Sequence, residues 1–268
     1  MAACNACMQW QQALELFEKM RRSKLHPDLI SFTAAISSAA VGGAWQQALS
    51  LLSEMRHLAL KPNLLSYNSA LSACEKGLQW QRSHAMLRQV QQERLRVDII
   101  SYNSAIAACE KCQQWQQALR LLQEICSLGH LQADVISYNA AISAHEKAHL
   151  WQGAVELLKA ARRRGLRLDA VSHESALAAL RPAEAEAPWE QSLALLEGIL
   201  QQAIQLTSLG SAVVVQSCAA AEEWEKAFGL LGAMSLLQLK SDVNTHGMLL
   251  AECEQRGLSE SEAKLLDL

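Results

Sequence analysis

The sequence predicts an all-α fold, a solenoid built from stacked helix–turn–helix repeats. Three observations carry this prediction. Only 5% of the 268 residues are aromatic, and glycine (12) and proline (4) are scarce, a composition that favours helices over sheets. Two amphipathic segments lie between successive tryptophans. The tryptophans themselves recur at intervals of 35 to 38 residues: Trp10, Trp45, Trp80, Trp115, Trp151, Trp189 and Trp224.

The second segment of each repeat begins at its tryptophan. In the third repeat Trp115, Ala118, Leu119, Leu122 and Ile125 stand at offsets 0, 3, 4, 7 and 10, which is one apolar stripe of an α-helix. We therefore expect the tryptophans to pack between helices and not to serve as stacking platforms for a ligand.

The first segment places Tyr102, Ile106 and Cys109 on one helical face, at offsets 0, 4 and 7. It opens with Asp98 and Ser101, residue types that favour helix N-caps. A single helix pair cannot bury both stripes, so neighbouring repeats must stack on each other.

This periodicity predicts one repeat array over residues 1–268. Partial repeats occupy 1–28 and 243–268, and the segment Arg181–Pro188, with two prolines, is predicted to be a loop insertion. The full repeats are 29–63, 64–98, 99–134, 135–169, 170–207 and 208–242.

Charge and motifs exclude several function classes. The 24 Lys and Arg against 27 Asp and Glu give a net charge of −3, so a globally polybasic nucleic-acid binder is excluded and any basic surface must be local. The sequence contains no run of about 18 apolar residues that would span a membrane. It also shows no P-loop, dinucleotide motif or Ser/His/Asp set. We expect neither catalysis nor a cofactor nor a small-molecule substrate.

Two motifs mimic metal sites. His145 and His149 match H-E-x-x-H, and Cys4/Cys7 and Cys109/Cys112 match C-x-x-C. However, His145 aligns with a cysteine that recurs in the first segment of other repeats. We expect that position to belong to the core, with no metal bound. The recurring cysteines are Cys4, Cys74, Cys109, Cys218 and Cys253.

The unit resembles the pentatricopeptide repeat (PPR) of the P-type. SYNSALSACEKG, SYNSAIAACEKC and SYNAAISAHEKA are similar to that family's first helix and WQQALRLLQEI to its second, whereas the W-x2-L-G-x2-Y pattern of tetratricopeptide repeats is absent. The resemblance implies a right-handed α-solenoid that binds single-stranded RNA at one base per repeat. It also implies a role in RNA processing or stability in a mitochondrion or chloroplast. The opening MAACNACMQW shows no Arg-rich presequence, which leaves a cytoplasmic location open.

The resemblance further implies which side chains contact RNA, when each unit is numbered from the residue after its opening Asp or Asn. Position 5 and the last residue of the unit would read a base edge: Thr33 with Asn63, Asn68 with Asp98, Asn103 with Asp134, and Asn139 with Asp169. Position 2 would clamp a base face, through Ile30, Leu65, Ile100, Ile136 and Val171. Position 13 would contact phosphate, through Lys76, Lys111 and Lys147.

Alternative interpretations of these residues stay open at this point. The asparagines at position 5 could only cap helices, the lysines could be solvated charges beside neighbouring glutamates, and the cluster Arg162–Arg164 could be a solvated helix end. The fifth unit departs from the pattern with Glu174 and Pro182, and the sixth with Ala212 and Ala220. A protein-binding scaffold that recognises peptides is therefore the alternative to RNA binding.

Overall fold

The part of the chain that the structure describes contains twelve α-helices. The structure is a computed structural model, and it describes residues 10–23, 27–181, 189–200, 208–221, 223, 226–227, 229–230 and 247. No strand occurs among these residues. The helices are α1 (Trp10–Arg22), α2 (Leu29–Val41), α3 (Trp45–His57), α4 (Leu64–Lys76), α5 (Trp80–Gln92), α6 (Ile99–Lys111), α7 (Trp115–Ser127), α8 (Val135–Lys147), α9 (Trp151–Arg163), α10 (Ala170–Ala178), α11 (Trp189–Leu200) and α12 (Ser208–Ala220).

The chain divides into two compact units, Met1–Ala144 and His145–Leu268, and the boundary falls within α8. In the first unit the first helices of successive repeats, α2, α4 and α6, pack side by side. The second helices α3 and α5 each pack between the first helix of their own repeat and that of the next. In the second unit α10 packs against the second helix of the preceding repeat (α9), the second helix of its own repeat (α11) and the first helix of the next repeat (α12). The predicted all-α solenoid of stacked helix–turn–helix repeats is confirmed.

The first helices begin at an N-cap supplied by the last residue of the preceding repeat. Asp28, Asn63, Asp98 and Asp169 have extended backbones, and their side chains accept a hydrogen bond from the backbone N–H three residues later. Such a cap stabilises a helix by about 1 kcal/mol. The serine that donates, such as Ser101, is not itself the cap, so the expectation that both residue types cap is corrected.

Several helices end in Schellman motifs. After α6 the N–H of Gln114 donates to the carbonyl of Cys109 at 2.8 Å, and the N–H of Gln113 donates to Glu110 at 3.1 Å. The residue between helix and turn is left-handed, with φ of 57° at Gln113 and 75° at Gly165. Ala59, Leu78, Arg94 and His149 are also non-glycine residues with positive φ. These turns fix the angle at which one helix leads into the next.

The tryptophans lie half-buried against the turn of the next repeat. A Cβ built on Gly42 would approach the Trp10 ring to 2.3 Å, and one on Gly77 would approach the Trp45 ring to 2.1 Å. The guanidinium of Arg82 stands 4.8 Å from the centroid of the Trp45 ring. The rings therefore pack within the protein, as predicted. Trp224 lies outside the described residues.

The buried face of the first helices is formed by an aromatic residue, alanines and a cysteine. Tyr67 and Tyr102 are fully buried, as are Cys74 and Cys109. Burial raises the pKa of the Cys74 thiol to about 11 and that of Cys109 to about 12, so both stay protonated. Cys218 is buried in the corresponding position. Cys4, Cys7 and Cys253 lie outside the described residues.

The H-E-x-x-H motif does not lie on one helix. α8 ends at Lys147, and His149 sits in the following turn with φ of 55°. His145 is buried, with its ring against Gly153. Among the described residues there is no group of three His, Cys, Asp or Glu that could hold a metal ion. Within that same part of the chain, no helix combines the length and apolarity needed to cross a membrane.

His173 takes the place of the tyrosine in α10. Arg162 can only donate, so Nε2 of His173 accepts from Arg162 Nη2 at 3.1 Å, and Nδ1–H donates to the carbonyl of Asp169 at 2.8 Å. This arrangement needs a neutral imidazole. Burial, followed by the effect of Arg162, lowers the pKa of His173, although the Asp169 carbonyl opposes the shift.

Gln113→Gly is expected to raise the free energy of unfolding by about 1 kcal/mol, because glycine adopts positive φ without the steric cost. Gly165→Ala is the converse variant. No atom lies within 4 Å of a Cβ built there, so its loss of about 1 kcal/mol would be purely conformational. Urea unfolding followed by circular dichroism measures both. A loss of stability in Gln113→Gly would contradict the assigned strain.

Stability should fall as the pH is lowered from 7.5 to 5.5. The folded His173 has a lowered pKa, so below about pH 6.5 the unfolded chain binds more protons than the folded one. His173→Tyr should reduce this pH dependence, because Tyr67 accepts from Arg56 in the equivalent position. His84, whose pKa burial also lowers, supplies a remaining slope. Equal pH profiles for both proteins would show that the pKa of His173 does not change on folding.

Candidate nucleic-acid interface

Large aliphatic side chains are exposed to solvent at position 2 of the first helices. An exposed apolar side chain adds little to the stability of the fold, so its recurrence on one face indicates a binding surface. The structure places all five predicted clamps in such a position. Their exposed fractions are 75% for Ile30, 62% for Leu65, 59% for Ile100, 63% for Ile136 and 58% for Val171.

A polar network joins position 5 to the end of its own repeat. Nδ2 of Asn68 donates to the carboxylate of Asp98, at 3.0 and 3.2 Å to the two oxygens. Asp98 also accepts from the backbone N–H of Ser101 at 2.9 Å, and the Ser101 hydroxyl oxygen lies 2.8 Å from the same carboxylate. That hydroxyl lies within 2.5 Å of Oδ1 of Asn68. The predicted base-reading pair is therefore in direct contact.

The same network recurs one repeat later. Asn103 donates to Asp134 at 3.1 and 3.2 Å, and the hydroxyl of Ser137 lies 2.6 Å from Oδ1 of Asn103. In these contacts the amides of Asn68 and Asn103 bond to side chains of the repeat boundary, and they do not cap their own helices. Asn139 is half-buried on α8, and Asp169 caps α10.

In the first full repeat a threonine hydroxyl takes the place of the asparagine amide in this network. Thr33 Oγ1 lies 2.8 Å from Ser66 Oγ, which in turn donates to Asn63 at 2.8 Å. Thr33 also donates to the carbonyl of Leu29 at 2.8 Å. Threonine therefore fits position 5 without disturbing the cap of the next helix.

The hydrogen bonds fix which way the asparagine amides face. A carboxylate only accepts, so Nδ2 must face Asp98 and Oδ1 must face Ser101. Both Asp98 oxygens lie on one side of Nδ2, so they use one N–H. The second N–H and the second lone pair of Oδ1 remain, one donor beside one acceptor. This pattern matches the mixed donor and acceptor edge of a pyrimidine.

The serine at position 3 is the part of this site that sequence reasoning missed. Ser66, Ser101 and Ser137 are buried, and each joins the cap of its own helix to position 5 of the preceding repeat. The recurring Ser-Tyr-Asn triplet was the available signal. It did not reveal the contact, because the partner lies 33 or 34 residues away in sequence.

The lysines at position 13 lie exposed at the ends of their helices. Nζ of Lys111 pairs with Glu75 of the preceding repeat at 2.8 Å, whereas Nζ of Lys76 lies 3.4 Å from the carbonyl of Val41. The difference follows from the sequence, since Ala40 stands where the preceding repeat would supply a glutamate. An exposed ion pair contributes about 0–1 kcal/mol, so it competes only weakly with another anion. Lys147 is exposed at the end of α8.

A pocket of about 330 Å³ opens between the first helices α2 and α4. Ile30 and Leu65 line it together with Thr33, Ser37 and Asn63. The predicted clamp and the predicted reading pair of this repeat thus surround one cavity. Its walls are apolar, and hydroxyl and amide groups stand at its base.

These features define a class of protein, a helical-repeat binding protein whose first helices present aliphatic and amide groups at a fixed interval. Comparison with known families gives the class a name. A family model described as a pentatricopeptide repeat domain matches residues 11–76, and one described as a PPR repeat matches 100–130 and 136–166. The chain contains pentatricopeptide repeats in these three segments.

Comparison with solved structures agrees with this fold. The crystal structure of the pentatricopeptide repeat protein PPR10 from maize matches with a TM-score of 0.72 and 20% identity, over 99% of this chain and 37% of that chain. PPR10 in complex with an 18-nt psaJ RNA element aligns with a TM-score of 0.49 and 19% identity, over 99% and 44%. This chain therefore spans less than half of the PPR10 chains that it matches. Comparison with curated proteins found no match.

Proposed function

We propose that this protein binds single-stranded RNA on the open face of its first helices, with one base to each repeat. The observation that carries the proposal is the exposed aliphatic residue at position 2, which recurs beside a hydrogen-bonding pair. A base has an apolar face and a polar edge, and the two kinds of side chain suit these two parts.

The base face would lie between the position 2 side chains of neighbouring repeats. Ile30 and Leu65 flank the pocket of about 330 Å³, and this space suits a planar ring. Stacking contributes about 1–3 kcal/mol for each base. Three or four repeats give about 3–12 kcal/mol before the cost of ordering the strand, whereas a micromolar complex needs about 8 kcal/mol.

The base edge would be read at position 5. The remaining donor and acceptor of Asn68 and Asn103 suit uracil, which offers both a carbonyl oxygen and an N–H. The family resemblance gives the same assignment, with uracil for Asn/Asp and adenine for Thr33 with Asn63. The proposed order is 5′-A-U-U-U-3′ for Thr33, Asn68, Asn103 and Asn139, with the N-terminal repeat at the 5′ base.

The biological role that we propose follows the family. The protein would act after transcription, on the processing or stability of an organellar transcript, in a mitochondrion or chloroplast. It would act by occupying the RNA and without catalysis of its own. Other proteins that act on the same RNA are then its natural partners.

RNA affinity is expected to be micromolar or weaker and to fall with salt. Each phosphate contact to a single strand contributes about 0.7 to the slope of log affinity against log salt. Replacing Lys76, Lys111 and Lys147 together by alanine should therefore flatten this slope by about two units. Fluorescence anisotropy with a labelled A-U-U-U oligomer measures it, and an unchanged slope would exclude these lysines as phosphate contacts.

Asn103→Thr should change the preferred base at the third site from uracil to guanine, because Thr with Asp134 resembles the family's guanine-reading pair. Thr33 shows that threonine is accommodated at this position. Each edge contact should discriminate by about 1–3 kcal/mol, the scale of bidentate contacts to DNA bases. Binding of both proteins to A-U-U-U and A-U-G-U within equal flanks measures the change.

Two outcomes would contradict the proposal. Equal losses on both oligomers would make Asn103 a structural residue only. Selection from a random RNA library with the purified protein is the broader control. A library that yields no enriched sequence would instead favour the peptide-binding scaffold.

A further inference from the structure

The second compact unit contains a pocket that the family pattern does not assign. It has a volume of about 220 Å³ and lies between α10 and α12. Val171, Glu174 and Ala178 line it from α10, and Gly210 and Val213 line it from α12. Glu146 and Arg181 complete its walls.

This pocket is in register with the pocket between α2 and α4. Val171 corresponds to Ile30, Glu174 to Thr33, and Ala178 to Ser37, counted from the start of each first helix. Val171 is as exposed as the aliphatic residues of the earlier repeats. The fifth repeat therefore keeps a pocket beside an exposed aliphatic residue at position 2, although its polar groups differ.

Two residues change the chemistry at the base of the pocket. Glu174 replaces the amide or hydroxyl at position 5, and Gly210 stands at position 3 of the next repeat, where Ser101 and Ser137 stand elsewhere. Glycine has no hydroxyl to donate to position 5. A carboxylate offers about four acceptor sites on two oxygens.

The geometry points to a guanine site in the fifth repeat, with Glu174 as the residue that reads the base. This inference rests on the proposed function. A carboxylate only accepts, and it binds best to two donors side by side. Guanine presents N1–H and the 2-amino group next to each other. Adenine, cytosine and uracil each place an acceptor beside their donor, and that acceptor would face a carboxylate oxygen.

Charge in the pocket fits a neutral base better than a phosphate. Glu146 and Glu174 are both acidic, and Arg181 is the basic residue of the lining. Two carboxylates repel a phosphate but not the donor edge of a base. The guanidinium of Arg181 can donate to an acceptor such as O6 of guanine or to the adjoining phosphate.

Binding of the full chain to A-U-U-U-N oligomers, with N each of the four bases, tests the inference. The guanine oligomer should bind about tenfold tighter than the other three, on the scale of one bidentate contact. Inosine lacks the 2-amino group and should bind several-fold more weakly than guanine. Glu174→Gln should bring the four bases to within about threefold, because an amide both donates and accepts.

A matched control removes the same charge outside the pocket. Glu197 is exposed on α11 of the same repeat, and Glu197→Gln should keep the guanine preference of the unmodified protein. Tight binding of A-U-U-U with no preference at the fifth base would overturn this inference and leave the proposed function standing. Failure to bind any of these oligomers would overturn both. A guanine preference that survives in Glu174→Gln would assign the readout to another residue and overturn the role of Glu174.

Discussion

The carboxylate at the repeat boundary forms two kinds of hydrogen bond that hold the structure together. Asp98 caps the helix that follows it and at the same time accepts from Asn68 of its own repeat. Helix start, repeat stacking and the orientation of the exposed amide therefore depend on the same few atoms. An amide held in this way loses little freedom when a ligand binds, which lowers the entropy cost of recognition.

Electrostatics play a smaller part in this surface than its lysines suggest. Lys111 faces Glu75 in the preceding repeat, and the chain carries a net charge of −3. A surface with paired charges attracts a polyanion weakly and gains little affinity that is independent of sequence. In the proposed complex, recognition would then rest on the stacked bases and on their edges, and affinity and selectivity would come from the same contacts.

Much of the fold could be predicted because it is periodic. The spacing of Trp45, Trp80 and Trp115 fixes the repeat, and the burial of Tyr102 and Cys109 follows from helical offsets within one segment. The residues at position 2 were assigned from the family resemblance, and the regular period placed them at the same point in each repeat. The hydroxyl of Ser101 could not be placed in this way, because its bond to Asn68 depends on how far one helix slides along its neighbour, and a period does not contain that distance. Likewise, the spacing of His145 and His149 in the sequence does not reveal that His149 lies in the turn after the helix, with positive φ.

The same boundary carboxylate limits what position 5 can be. An amide tolerates Asp98 because it donates to it, whereas a glutamate at that position would place two acceptors and two negative charges face to face. At 4 Å and an effective dielectric constant of 20, such a pair costs about 4 kcal/mol. A carboxylate at position 5 therefore requires a neutral residue at the end of its repeat. The fifth repeat has Glu174 at position 5, and in sequence it ends at Thr207. The two departures from the pattern are thus compatible with each other, and Val171 keeps the exposed aliphatic side chain at position 2.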